Sequence, residues 1–221
     1  YNTVLIGTQC WFKENLKVTK YNDGTLIGDS TNSTWGTAMI GARTGYDVSV
    51  VPLSNYDGTF GYLYNWYAVN DSRKLCPAGW HVPTDAEWTI MIQTLDPSQV
   101  VNSTNVSTFF GAQSSTAGTV MKSTVTNPST GFGLGWNPGS PGTNTSGFSA
   151  LPGGYRNSNG SFSLIIDGAF FWSATEIDST SSPGPATCTT TLAMCTGATT
   201  STAASRLVPL FVASGIDYLS I

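Results

Sequence analysis

One histidine and thirteen carboxylates are all that this 221-residue chain offers for proton transfer near neutral pH. A nucleophile needs a base beside it, and His81 is the single imidazole. It lies in Trp80-His81-Val82-Pro83, just ahead of a helix start, and is expected to pack or hydrogen-bond locally. Asp85, Glu87 and Glu176 are the carboxylates that invite an acid–base reading. Thr84-Asp85-Ala86-Glu87 is a capping-box sequence, which accounts for the first two. Glu176 ends the apolar run from Phe170 and is expected to accept from buried amides. Glycan hydrolysis needs two carboxylates facing one cleft, and no second partner is identifiable. The chain therefore reads as not an enzyme, with no catalytic residue and no cofactor.

Four cysteines, Cys10, Cys76, Cys188 and Cys195, allow three pairings and fit an oxidising compartment. None forms a CxxC pair, and with a single His an ordinary zinc site is not expected. Cys188 and Cys195 are close in sequence, so the favoured reading pairs them and leaves Cys10 for Cys76. Free buried thiols are the alternative.

Binding through aromatic side chains is better supported than catalysis. Trp and Tyr are large and stiff with a polar tip, suited to stacking on sugars or anchoring an interface. Trp136, Asn137, Tyr155, Arg156 and Asn157 lie in Gly-rich loops and are the ligand-binding candidates. Trp11, Trp66, Trp80, Trp88 and Trp172 are expected in the core.

The elements that must position these residues can be read in part. Val4-Leu5-Ile6 and Cys10-Trp11-Phe12 read as strand, turn, strand, broken at Gly7-Thr8-Gln9. Asp23-Gly24 suggests a hairpin with a type I′ turn. Residues 28–58 are polar and read as a surface excursion. Gly61 to Ala68 is dense in aromatics, and periodicity does not choose between strand and helix. After Thr84, the apolar residues Trp88, Met91, Ile92 and Leu95 share one helical face, and Pro97 ends it. A second helix is expected over Ala117 to Ser123. Asn157 to Ser161 reads as a hairpin tip and Phe170 to Glu176 as a core strand. Residues 177–203 are rich in Ser, Thr, Pro and Gly. Val208 to Ile221 is apolar and β-branched.

The expected class is α+β, one domain over 1–221 with two helices, short antiparallel strands and long Gly/Ser/Thr-rich loops. Residues 177–221 are its divergent loop and terminal strand. Only 10% of residues are charged, against roughly 25% in soluble domains, and about a quarter are Ser or Thr. Such a hydroxyl-rich surface suits an extracellular module. The net charge is −4, and the nine Lys and Arg form no stripe, which argues against nucleic acid and against a polybasic membrane contact. No apolar run approaches the ~20 residues of a membrane span. Tyr1 opens directly into a strand, as expected of a mature or excised product.

Several segments resemble the Fibrobacter succinogenes major paralogous domain family: Ile6-Gly7-Thr8-Gln9-Cys10-Trp11-Phe12-Lys13-Glu14-Asn15-Leu16, Gly61-Tyr62-Leu63-Tyr64-Asn65-Trp66, and Cys76-Pro77-Ala78-Gly79-Trp80-His81-Val82-Pro83-Thr84-Asp85-Ala86-Glu87-Trp88. The segments Gly147 to Arg156 and Phe171 to Glu176 extend the likeness over roughly residues 1–176. The resemblance implies a C-type-lectin-like fold of the formylglycine-generating-enzyme type. It also implies export from Bacteroidetes-like bacteria, as lipoproteins or parts of surface proteins, and no known activity. No local motif resembles the reactive thiol pair of the formylglycine-generating enzymes. The calcium-dependent sugar triplet of C-type lectins is absent, and Trp136-Asn137-Pro138 is a faint echo of its companion motif. A structural calcium near Asp167, Glu176 or Asp178 is the one cation reading left open. Asp29-Ser30-Thr31 and Asp178-Ser179-Thr180 resemble Bacteroidetes O-glycosylation acceptors, which makes Ser30 and Ser179 the candidates. Asn32 and Asn144 head Asn-x-Ser/Thr triplets of the kind a hydroxyl-rich chain contains by chance.

The family's closing Gly-Phe-Ser-Val-Arg-Cys-like motif, with its cysteine, is missing here. Truncation, rewiring of the last strand, or a strand supplied by a neighbour would each explain that. The expected function is a secreted or cell-surface structural or adhesive module, with self-assembly through C-terminal strand exchange as one form of it. The alternative is a carbohydrate- or peptide-binding module on a larger surface protein. Partners would be copies of itself, other surface proteins, or glycans.

Overall fold

A computed structural model describes residues 1–29, 35, 39–46, 56–98, 114, 116–125, 135–138, 141–157, 159–177, 193–198 and 213–214. β1 (Thr3–Ile6) and β2 (Gln9–Phe12) form an antiparallel hairpin. Its two-residue turn has Gly7 at φ 61° while Thr8 stays on the negative side, the type II′ pattern that fits the right-handed twist of the strands. Trp11 points inward and is fully buried. On the far side of β2, β10 (Ala213–Ser214) pairs antiparallel with Trp11 and Cys10. The described part of the C-terminal stretch thus pairs within its own chain.

The Asp23-Gly24 turn differs from the expected type I′. Only Gly24 has a positive φ, because Asp23 is held otherwise: its carboxylate accepts from the Thr25 N–H at 2.9 Å and the Thr25 hydroxyl at 2.7 Å, an Asx-type restraint.

The second sheet is ordered β3 (Gly28–Asp29), β4 (Ala42–Thr44), β5 (Leu63–Tyr64). Residues 28–58 are therefore more than a surface excursion. They return β4 to the interior and bury Trp35 and Tyr46. Gly41 allows this return: a Cβ there would overlap the Tyr21 hydroxyl and sit 3.1 Å from the Ala68 Cα. A one-turn helix, α1 (Tyr56–Phe60), precedes β5.

The undecided stretch Gly61 to Ala68 is both strand and helix. Asn65 makes the switch between β5 and α2 (Trp66–Val69). Its Oδ1 accepts from the Ala68 N–H at 3.0 Å, an N-cap bond, and from the Ala42 N–H at 2.8 Å. Its Nδ2 donates to the Ile40 carbonyl. One buried amide thus starts a helix and anchors the neighbouring strand.

α3 (Asp85–Leu95) carries the expected capping box in full, with both reciprocal bonds between Thr84 and Glu87. Trp88, Met91 and Ile92 are buried along one face. α4 (Ala117–Met121) ends two residues earlier than the sequence suggests, since Lys122 has already left the helix with ψ 139°. β6 (Gly153–Arg156) and β7 (Phe162–Ile165) form the expected hairpin around Asn157 to Ser161. β8 (Phe170–Ile177) pairs with β9 (Ala193–Ala198).

Two expectations are corrected. Four helices are described rather than two, because α1 and α2 are too short to show periodicity. The strands are not all antiparallel: β3–β4 and β8–β9 are parallel. Each of these pairs is linked by about a dozen residues or more, the length a parallel crossover requires.

The core is an aromatic cluster. Trp88 lies 4.8 Å from Trp11, 5.6 Å from Phe171 and 6.2 Å from Phe148 between ring centroids. Such pairs contribute about 0.5–1.5 kcal/mol each beyond their buried area. The indoles also tie strands together. Trp88 Nε1 donates to the Trp172 carbonyl, and Trp172 Nε1 donates to the Tyr64 carbonyl. Trp11, Trp66, Trp88 and Trp172 are buried as expected, and Trp80 is half-buried with its ring 3.9 Å from Phe12.

Candidate functional site

The five ligand candidates do not converge on one surface. Trp136 is 1% exposed, its Nε1 donating 2.9 Å to the Ala150 carbonyl. Arg156 is also 1% exposed. Its guanidinium lies 4.3 Å over the Trp35 ring and 4.9 Å over Phe162, and its Nε donates to the Gly160 carbonyl. Both are corrected from ligand contacts to interior struts. A guanidinium is weakly hydrated and planar, so it can be buried between aromatic faces where an ammonium would cost more. The residues that receive it, Trp35 and Phe162, carry no sequence mark that ties them to Arg156.

Tyr155 is half-buried, edge-on to Phe170 at 4.9 Å. Asn157 holds the hairpin tip: its N–H donates to the Ser161 carbonyl at 2.7 Å, and its Nδ2 to the Ser161 and Ser163 hydroxyls. Asn137 alone of the five is exposed. Its N–H donates to the Ile166 carbonyl and its Nδ2 reaches Asp167 Oδ1 at 3.1 Å. The segment it caps is strained. Leu164 and Ile166 have φ of 57° and 65°, a region bulky or β-branched residues rarely adopt.

Lys122 repeats the Arg156 device. It is buried, with Nζ 4.6 Å over the Trp136 ring. Desolvation holds its amine below the usual lysine range.

The titratable groups gather at the start of α3. His81 Nε2 and Glu87 Oε1 are 2.7 Å apart, with the side chains 40% and 25% exposed. Glu87 Oε2 also accepts from the Thr84 N–H and hydroxyl. Burial pushes the Glu87 carboxyl up, but the bonds from His81 and Thr84 together outweigh it, so it titrates below the ordinary range. Asp85, two residues earlier, goes the other way. It is buried, no hydrogen bond to its carboxylate is present among the described residues, and desolvation raises its pKa. Its backbone N–H donates to the Thr175 hydroxyl at 2.9 Å, joining α3 to β8. Asp85 and Glu87 both lie in the first turn of α3, as expected, and Glu87 is the one bonded to the Thr84 cap. The side chain of Glu176 lies outside the described residues.

Cys10 and Cys76 are free thiols, which corrects the expected bond between them. Cys10 sits mid-strand, flanked across the sheet by Leu5 and Ser214. Cys76 is buried, and desolvation raises its thiol pKa well above the ordinary range, so it carries little thiolate. Cys188 and the side chain of Cys195 lie outside the described residues, as do Ser30, Asn32, Asp178 and Ser179. Asn144 is described, and both ends of its amide are engaged with Ser149. Among the described residues no group of three His, Cys, Asp or Glu is placed to hold a metal ion. Of the calcium candidates, Asp167 is the one whose side chain is described, and it accepts from Asn137. No described helix is long and apolar enough to cross a membrane.

These features define a domain of short helices and strands around an aromatic core, with buried cations stacked on its rings. The chain belongs to the Fibrobacter succinogenes major domain family (Fib_succ_major), which matches residues 4–202. The match runs past residue 176 into the Ser/Thr-rich segment. No curated protein and no solved structure matches the chain.

Proposed function

We propose that this chain is a non-catalytic extracellular surface module, structural or adhesive, of C-type-lectin-like fold. The observation that carries the reading is where its reactive groups sit. His81 is bonded to a capping carboxylate, Arg156 and Lys122 lie against indole rings inside the domain, and Asp85 and Cys76 are buried. A general base works within hydrogen-bond reach of a substrate proton; His81, Arg156 and Lys122 are engaged in contacts within the domain, and Asp85 and Cys76 are buried. A hydroxyl-rich, ion-poor exterior supports the same reading.

In its assembling form, subunits exchange C-terminal strands. The β10 site on β2 is two residues long and filled in cis, so a neighbour's copy would displace it with identical chemistry. The lectin-like alternative is favoured by one observation, the exposed Asn137–Asp167 pair. An amide beside a carboxylate can accept and donate to adjacent sugar hydroxyls. Electron microscopy of the purified chain and a glycan array separate the two. Ordered filaments without glycan binding support assembly, and a monomer whose glycan binding is lost in Asn137→Ala supports the alternative. Turnover of any substrate that is abolished in His81→Ala, with the fold intact, refutes both.

A further inference from the structure

The β1–β2 hairpin has an edge that the described residues leave open. Its turn closes on Ile6 and Gln9, and Lys13 N–H donates to the Asn2 carbonyl at 2.9 Å. In an antiparallel ladder, hydrogen-bonded pairs alternate with non-bonded ones. Asn2·Lys13, Val4·Trp11 and Ile6·Gln9 are therefore the bonded pairs. Thr3 and Leu5 direct their N–H and C=O groups away from β2. No partner for these groups is present among the described residues, and Leu5 is 71% exposed.

Natural edge strands are blunted by lysine, proline, a bulge or a cover. This one has none of the first three: no residue from Tyr1 to Thr8 is Lys or Pro or carries a charged side chain, and the register with β2 is regular. Thr3-Val4-Leu5-Ile6 is instead β-branched and apolar, which favours strand pairing.

We infer that the β1 edge is an interaction surface for a second copy of this chain, the two β1 strands pairing antiparallel about a two-fold axis at Val4. The occupant follows from the register. With Val4 opposite Val4 of the other copy, Thr3 faces Leu5 and Leu5 faces Thr3. Each pair exchanges two N–H···O bonds, so all four outward groups of each strand are satisfied by the same four of its partner. This is the self-complementarity an isologous interface requires. Leu5 then lies beside the partner's Thr3 on the face away from Trp11, and no like charges meet. Among the described residues β10 is the opposite edge, so the described strands of the two sheets merge in the order β10-β2-β1-β1-β2-β10. The pairing is independent of C-terminal exchange, and its use on a cell surface rests on the function proposed above.

Sedimentation of the purified 221-residue chain from micromolar to millimolar concentration tests the inference, together with hydrogen exchange at Thr3 and Leu5. The expected result is a shift from monomer to dimer, with both amides slowing as concentration rises. Leu5→Pro removes an outward N–H without breaking a bond to β2, and Leu5→Lys adds the missing edge charge. Both should remain monomeric with unchanged melting. A chain that stays monomeric, a dimer that survives both substitutions, or amides already protected in dilute monomer would each overturn it. None of these results bears on surface location, which is measured separately on cells.

Discussion

Two carboxylates in one helical turn respond to pH in opposite directions. Glu87 titrates low because three hydrogen-bond donors favour its charged form. Its contribution to stability is present above its unfolded pKa, near 4.3, and is lost as pH falls through the lower folded value. Asp85 titrates high because burial disfavours its charge. Its protonated form suits the fold, so it costs stability once pH rises from its unfolded value through the raised folded one. Thermal melts should therefore show Asp85→Asn more stable than wild type at neutral pH, with the gain vanishing in acid. Glu87→Ala should lose about 1–2 kcal/mol at neutral pH, the range of a lost cap, and little in acid. An Asp85→Asn variant less stable at every pH would mean that the carboxylate accepts a bond the fold needs. Arg156 is the other residue whose role turned over. Arg156→Ala should cost about 2 kcal/mol or more, the worth of a desolvated cation–π contact, with no change in any glycan affinity. Its sequence setting, Gly-Gly-Tyr-Arg-Asn before a turn, is indistinguishable from an exposed loop. The ring that covers it, Trp35, is 121 positions earlier in the chain.

At the scale of elements, what could be read was local and what could not was contact between distant segments. The β1–β2 hairpin, the α3 cap, the 157–161 tip and the β8 strand follow from short-range signals, namely a Gly at a turn, a Thr three residues before a Glu, and an apolar run. The Gly61 to Ala68 stretch was ambiguous because its order depends on Asn65 bonding to Ala42 and Ile40 across the second sheet. The β3–β4 and β8–β9 pairs escaped for the same reason, since parallel pairing leaves no turn signature. Gly41 shows the link physically. Gly41→Ala should lower stability by about 1–3 kcal/mol, the range for forced overpacking, read as a drop in denaturant midpoint at constant slope. Tyr21→Phe would relieve the overlap with the hydroxyl, so Gly41→Ala/Tyr21→Phe should recover part of the loss. A fully additive pair would show that the backbone of Ala68, not the Tyr21 hydroxyl, sets the limit.

For the whole molecule, composition and core tell one story. A chain with few charges keeps several of them inside, stacked on indoles or bonded to caps, and among the described residues it exposes Lys20, Asp23, Asp29, Arg73, Lys74 and Asp167 beside hydroxyls, amides and a few apolar side chains. Leu26, Met39 and Ile40 are each more than 70% exposed. The surface role proposed above draws on this exterior. The family assignment was legible from motifs alone, because eleven- and thirteen-residue segments keep their order along the chain. The burial of Trp136 and Arg156 was not, because loop position says nothing about whether a Trp or an Arg turns inward. Antibody labelling of intact, unpermeabilised cells that produce the native protein is the most direct measurement of the account. Labelling before lysis, with protease sensitivity to match, is the predicted result, and label that appears only after the cells are opened would contradict it.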